Sequence, residues 1–505
     1  MTWTKFQGFV GPSYPLKSKA IDSQRLINMF PEMVESGSGK EGQVAYLKSL
    51  PGYEQLMTVG TGPIRMVHID SPPENEFNPT NRVFIASGAE MYKAVWDSVN
   101  SEWDVTWVGD LNTSSGPMYA ASAKIDLGVT VFVDGSADCY IYWLYLDLGV
   151  PSENFNTFSA YGYIGVENAI KVIWIDGYFV FIQADSGNFY VSDWNSLNVD
   201  PLSFAVAEGD PDNILSVISN HRDLIMLNER STEIYVNTGN ADFPFERIQG
   251  GFIEKGLLAS DSVAKIDGKV YWLARNEFGQ GEIVRLQGMV PQRISTHAVE
   301  EKIASYASPE DATAYTYQHE GHLFYVINFA EATWCFDAKT EQWFEMASLL
   351  SGALQRHRLN YLKFFPLLGI HIAADYETNK IYKLNDEVYL FGTEPIVRER
   401  VFPHISASGK FMRCNALRID MEVGVGLNGT VQGSDPKVML KWSDDDGRTW
   451  SNERTASIGK IGETSKRVIF WRLGSYKKRI YKLRVTDPIK LNISSVEVDI
   501  EVGVS

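Results

Sequence analysis

Residues Trp442 to Trp450 read WSDDDGRTW, placing Ser443, Asp445, Gly447, Thr449 and Trp450 in the spacing S-x-D-x-G-x-T-W with three consecutive acids inside it. Acids at that density could hold a hard cation, serve a hydrolase as general acid and base, or fix a turn. A calcium loop needs a glycine at its sixth position and a bidentate glutamate at its twelfth. Starting such a loop at Asp444 puts Thr449 and Thr455 at those two positions, so the metal reading fails on spacing. The turn reading fits better. Ser443 and Asp445 can bond turn backbone groups, Gly447 can supply a positive φ, and Trp442 and Trp450 flank the turn on its strands.

This pattern resembles the Asp-box hairpin, which recurs in sialidases and in many non-enzymes and serves folding rather than chemistry. The other candidates fail in the same way. Gly424 to Gly429 matches G-x-G-x-x-G, but TVQGSDPK follows it, so no helix N-terminus would meet a dinucleotide pyrophosphate. His319-Glu-Gly-His322 lacks the i, i+4 spacing of a zinc-protease helix and falls at a hairpin tip, where an exposed turn is expected. Cys139, Cys335 and Cys414 are too far apart for a zinc knuckle and read as reduced, buried residues. Lys477-Lys478-Arg479, the densest basic run, is expected to face solvent or protein partners at a turn between strands. The expectation is a non-enzyme with no catalytic residue, no cofactor and no metal.

The elements around these motifs are short apolar runs separated by turn signals. Units begin at Arg82, Gly128, Val172, Ser219, Ala264, Gln318 and Leu367, spaced by 46, 44, 47, 45, 54 and 49 residues. Several contain a two-residue hairpin signal such as Asp176-Gly177 or Asp267-Gly268. A period in the forties with three or four strands per unit is the mark of propeller blades, here six or seven. The long 54-residue gap coincides with Ile294 to Gln318, where Val299, Ile303 and Tyr306 have helical spacing, and Ser308-Pro309-Glu310-Asp311 resembles a further helix start. The sequence thus predicts an all-β chain. An extended N-terminal arm spans 1–60 and includes SGSGKEG at Ser36 to Gly42. A β-propeller spans 61–395 with a small helical insertion near 294–318, and a β-sandwich spans 396–505. An aromatic content of 12% and 41 glycines suit such a fold.

Charge divides the chain unevenly. From Glu394 onward there are 19 Lys and Arg against 14 Asp and Glu, whereas the first 393 residues carry 27 against 49. A body with a net charge of −22 does not wrap nucleic acid, which calls for a basic footprint. No apolar run is long enough to span a bilayer, and the opening MTWTKFQGFVGPSYP has no signal-peptide core, so no membrane insertion is expected.

The acidic hairpin continues through GKIGE (Gly459 to Glu463), KRVIFWRLG (Lys466 to Gly474) and RIYKLRVTDPI (Arg479 to Ile489). That order resembles the closing domain of the packaged-DNA stabilisation proteins, the tail-hub or nozzle proteins of short-tailed bacteriophages. LINMFPE (Leu26 to Glu32) and YLKSLPGYEQL (Tyr46 to Leu56) resemble the family's opening, and VPQRISTHAVEEKIASY with HLFYVINFAEATWCFDAKTEQW (Val290 to Tyr306, His322 to Trp343) its insertion and the next blade. The resemblance implies a six-fold homo-oligomeric ring beneath the portal and head-to-tail adaptor, closing the DNA channel and retaining the genome. It also implies attachment sites for a tail needle and tailspikes or fibres, genomic DNA that passes without specific binding, and a virion protein assembled in host cytoplasm. The competing reading is a carbohydrate-active propeller, a sialidase-like hydrolase or a glycan-binding tail protein, needing two carboxylates or a Tyr-Glu nucleophile on the axis.

Overall fold

A computed structural model describes residues 3–33, 45–70, 81–147, 150–207, 212–240, 242–276 and 278–503; Ser36 to Gly42 lie outside these residues. Among the described residues there are seven antiparallel blades, fixing the count within the expected six or seven. The first blade runs from Ile64–Asp70 through Arg82–Ser87 and Glu90–Asp97 to Glu102–Asp110. The next three follow the same order from inner strands Tyr119–Ala123, Ala169–Ile175 and Ile214–Asn220. The fifth, sixth and seventh begin at Ala264–Ile266, Thr313–His319 and Leu359–Phe365. The second strands Arg82–Ser87 and Gly128–Val133 are buried at every residue, which is why they read as continuous apolar runs rather than alternating ones. The hairpin signals hold: Asp176-Gly177 and Asp267-Gly268 both adopt positive φ at each central residue.

Apolar clusters fill the spaces between consecutive blades. Phe84 and Met91 meet Phe132 and Tyr140 between the first and second blades, and Val83 and Ile85 meet Phe365 and Ile372 where the seventh returns to the first. The ring closes through a strand from the other end of the sequence. Gly52–Thr58 pairs antiparallel with Lys380–Asn385 as the outer strand of the seventh blade.

Where the sequence predicts an extended arm over 1–60, the described strands of residues 3–33 and 45–60 pair with strands of both domains. Trp3–Lys5 pairs with the sandwich strand Asn492–Val502. Ser23–Ile27 lies between Gln342–Leu350 of the sixth blade and Arg398–Val401, so one sheet runs from blade into sandwich. Met29–Met33 and Ala45–Ser49 form a hairpin that extends the other sandwich sheet through Asn492–Val502. Asn28, at a φ of 54°, links the pieces by donating to Ala347 O at 2.8 Å and Val397 O at 2.9 Å. Leu26, Met29 and Phe30 are fully buried there, in a cluster shared by the sixth blade, the seventh blade and the sandwich. Arg400, fully buried, donates to the carbonyls of Gly8, Phe9 and Pro12 and so folds the first residues around itself.

The insertion holds one helix, His297–Ile303, capped by Thr296 Oγ1, which accepts from Val299 N at 3.4 Å. It buries Val299 and Ile303 between the fifth and sixth blades. The second helix start at Ser308 goes no further than the 3-10 turn Pro309–Asp311, because the strand Thr313–His319 begins two residues later. No helix among the described residues is long and apolar enough to cross a membrane.

Candidate functional site

The acidic turn closes on itself through its central acid. Asp445 accepts from Ser443 Oγ at 2.7 Å, from Thr449 N at 2.8 Å and from Thr449 Oγ1 at 2.6 Å. Ser443 Oγ in turn accepts from Gly447 N at 2.8 Å, and Gly447 sits at a φ of +82°. The hydrogen bonds from Thr449 and Ser443 hold the Asp445 carboxyl well below its ordinary range. Its neighbours point elsewhere. Asp444 takes a bidentate pair from Arg479 at 2.6 and 2.8 Å, and Asp446 takes Lys478 at 2.7 Å and His404 at 3.2 Å. Three adjacent acids therefore escape mutual repulsion by facing three different partners.

The same contacts correct the expectation for the basic run. Arg479 is buried, with its guanidinium carbon 4.1 Å from the Tyr476 ring centre and 5.3 Å from that of Trp442. Lys478 is half-buried on the acidic turn, and Lys477 is exposed, with its ammonium 4.8 Å from the Phe411 ring centre. The run is a clasp for the turn rather than a free basic patch. Trp450 completes it, with Lys482 Nζ 4.1 Å from its ring centre.

The remaining motifs are structural. Gly424, at a φ of +75°, is bonded to Ile458 O and accepts from Gly462 N, so the glycine-rich stretch packs against GKIGE and no helix follows it. The three cysteines are free and buried. The His319–His322 turn is exposed only at its tip, Glu320 and Gly321; both histidines are buried, a correction taken up below.

A second charged cluster lies where the sequence gave no motif, on the propeller axis. A cavity of about 320 Å³ is lined by residues at or beside the inner strands of all seven blades, among them His68, Tyr119, Lys171, Ser216, Asp261 and Lys363. Lys171 of the third blade is 2.8 Å from Asp261, which precedes the fifth blade's inner strand, and 3.3 Å from the Tyr119 ring centre of the second. The Tyr119 hydroxyl also donates to Asp261. Burial pushes the Lys171 ammonium down, while the ion pair opposes it; burial would raise the Asp261 carboxyl, but Lys171 and Tyr119 hold it below its ordinary value. Burial and the nearby Lys363 charge push His68 down to about 3, so it stays neutral. Asp261 is the one carboxylate among the described lining residues, and it is already paired. The inner strands mix apolar residues with polar ones that face the cavity, and the sequence units that begin at Arg82 and Gly128 start at second strands and leave out the inner strands of their blades.

Two family models match the chain in order: "Bacteriophage P22 Gp10, beta-propeller" over residues 19–389 and "Bacteriophage P22 Gp10, beta-sandwich" over residues 397–501. No curated protein matches. Among solved structures, the WD40 propeller domain of Doa1 is 11% identical, covering 66% of this chain and 98% of its own, with a TM-score of 0.39. The Cps50 (Swd1) propeller domain of Myceliophteria thermophila is 10% identical, covering 66% and 100%, also at 0.39. A fungal alcohol oxidase of the AA5 family, in complex with copper, is 9% identical, covering 88% and 99%, at 0.37. At these scores the structural likenesses carry no argument about function.

Proposed function

Because the chain belongs to the bacteriophage P22 Gp10 family of structural phage tail proteins, we propose that it is the tail nozzle, a six-fold ring below the head-to-tail adaptor. In this reading the ring closes the DNA channel, retains the packaged genome and carries the tail needle and spikes or fibres. The observation that carries it is the match of both domain models, in order, over nearly the whole chain. The geometry adds support. Lys171, Asp261 and Tyr119 cross the propeller axis, and the cavity around them is about 320 Å³. A duplex whose major groove alone is about 12 Å wide cannot thread such an axis. This supports a reading in which DNA runs between copies of a ring rather than through one propeller.

A closed ring joins different surfaces of neighbouring copies. The third blade's outer strand, Val199–Val206, offers one such surface: Leu202 is 85% exposed, Phe204 and Val206 are also exposed, and Asp200 is its one charged residue. An apolar outer edge of this kind favours association. The net charge of −22 over the first 393 residues fits a lumen that repels phosphates, so that DNA slides without binding. A hydrolase reading has less support, since the described axial lining offers one carboxylate where glycoside hydrolysis uses two.

The test is retention. DNA-filled heads bearing the adaptor but lacking this chain should lose DNA, and adding purified protein should restore nuclease-resistant DNA. Equal retention with and without the protein would contradict the proposal.

A further inference from the structure

The His319–His322 turn, which has no part in the reading above, places a fully buried imidazole between two carboxylates from different parts of the fold. His322 Nδ1 lies 2.7 Å from Asp337 of its own blade, and Nε2 lies 2.9 Å from Glu32. Glu32 belongs to Met29–Met33, half of the hairpin that extends the sandwich sheet. We propose that His322 is a proton-controlled latch that ties this sandwich hairpin to the sixth blade only while its ring carries both protons.

The argument is geometric. An ionised carboxylate accepts hydrogen bonds and cannot donate them, whereas a neutral imidazole donates through one nitrogen only. Asp337 also accepts from Lys339 N at 3.0 Å and from Thr340 Oγ1 at 2.7 Å, so it meets donors on its other sides as well. A carboxylate oxygen at each ring nitrogen of His322 suits a ring that donates through both, an imidazolium. Losing one proton would turn a lone pair toward a carboxylate oxygen less than 3 Å away, in a site from which water is excluded.

The surrounding groups fit this assignment. Lys339 lies 3.8 Å from the other Glu32 oxygen, and the Phe30 and Phe324 rings pack on the imidazole at 4.8 and 5.7 Å. Further along the turn, His319 faces Asp386 at 3.3 Å and Glu320 at 3.5 Å, while Lys48 pairs with Glu320. The two histidines move in opposite directions. Burial lowers both, but for His322 the two direct hydrogen bonds outweigh it and raise the group above 6.5. For His319, whose partners are more distant and more exposed, burial prevails and the ring is held below 6.5.

A raised folded-state value contributes stability that is complete below the unfolded imidazole range, about 6.5, and is lost as pH rises through the folded value. The latch is therefore closed in mild acid and opens on the alkaline side. Opening releases Glu32 to water at the junction and leaves the hairpin Met29–Met33 with Ala45–Ser49 held by its remaining strand pairing and packing.

Hydrogen exchange of the full chain, corrected for intrinsic rates, tests this between about pH 6 and about pH 9, a range that brackets a raised imidazole. Protection of both strands of the hairpin should fall by roughly tenfold for each unit by which the imidazole is raised, with the third blade unchanged. His322→Gln, which can donate to only one carboxylate, should abolish that pH dependence, whereas Asp386→Asn, which alters the surroundings of His319 alone, should leave it intact. Should the glutamine variant fail to fold, imidazole nitrogen shifts of the wild-type protein give the same answer: His322 doubly protonated at about pH 6 and deprotonating above the ordinary range. Equal protection at both pH values, a neutral His322 at the lower one, or loss of the effect in Asp386→Asn would overturn the proposal.

Discussion

The acidic turn of the sandwich and the ion pair on the propeller axis both gather charge, but they are built over very different sequence distances. The turn draws its own closure from seven residues, Ser443 to Thr449, through contacts such as Gly447 N to Ser443 Oγ and Thr449 N to Asp445. The axis draws on Tyr119, Lys171 and Asp261, whose contacts span up to 142 residues. In the turn, removing a partner leaves acids with access to water. On the axis, removing Lys171 leaves Asp261 enclosed without its counter-charge. The difference teaches that local chemistry fixes a hairpin, whereas the centre of a propeller exists only once every blade is in place.

The largest expected effect is therefore on the axis. Lys171→Ala should cost about 3 kcal/mol in denaturant unfolding, because a buried charge loses its partner. The double variant Lys171→Met with Asp261→Leu should recover most of that loss, since an apolar pair of similar volume is tolerated. A double variant as unstable as the single would show that the axis depends on the ion pair itself, and the comparison would fail.

In the turn, Gly447→Val should cost about 2 kcal/mol, because a β-branched residue resists a φ of +82°. Exchange protection should drop first in the flanking strands Lys437–Ser443 and Arg454–Ser457. Calcium or a chelator should not move the melting temperature; a calcium-dependent rise would restore the cation reading of the three acids. Acid sharpens the same point. Asp445 is depressed below its unfolded value, so its contribution is present above the ordinary aspartate range and fades only as pH falls through the depressed value. Protection of Thr449 N should survive below that range in the wild type, whereas in Asp445→Asn, which has no carboxyl to titrate, it should be weaker and unchanged by pH across that range.

How far each region was legible follows from the same contrast. Ser443, Asp445, Gly447, Thr449 and Trp450 lie within eight residues, so their spacing is visible in the sequence. Asp176-Gly177 and Asp267-Gly268 announced hairpins for the same reason, and the strands between such turns revealed the blades. The closing strand Gly52–Thr58 was not legible, because nothing near it in sequence indicates pairing with Lys380–Asn385. Nor was the burial of Arg479, whose partner Asp444 lies 35 residues away, or of His322, which meets Glu32 across 290 residues. Charged residues near a turn suggest solvent until the fold supplies a counter-charge.

The smallest stability effect belongs to the third blade's outer strand. Leu202→Ser should change unfolding by no more than about 0.5 kcal/mol, as exposed side chains away from packing usually do. Ring formation on adaptor-bearing particles should nevertheless weaken. A variant that assembles like the wild type would remove this edge from the interface.

The most direct measurement of the central claim is a reconstruction of the assembled tail that resolves both the copies of this chain and the path of the DNA. The account predicts six copies in a closed ring, DNA passing between them, and each propeller axis still crossed by Lys171, Asp261 and Tyr119. One or three copies per tail, or the chain placed at a fibre tip away from the DNA path, would contradict it.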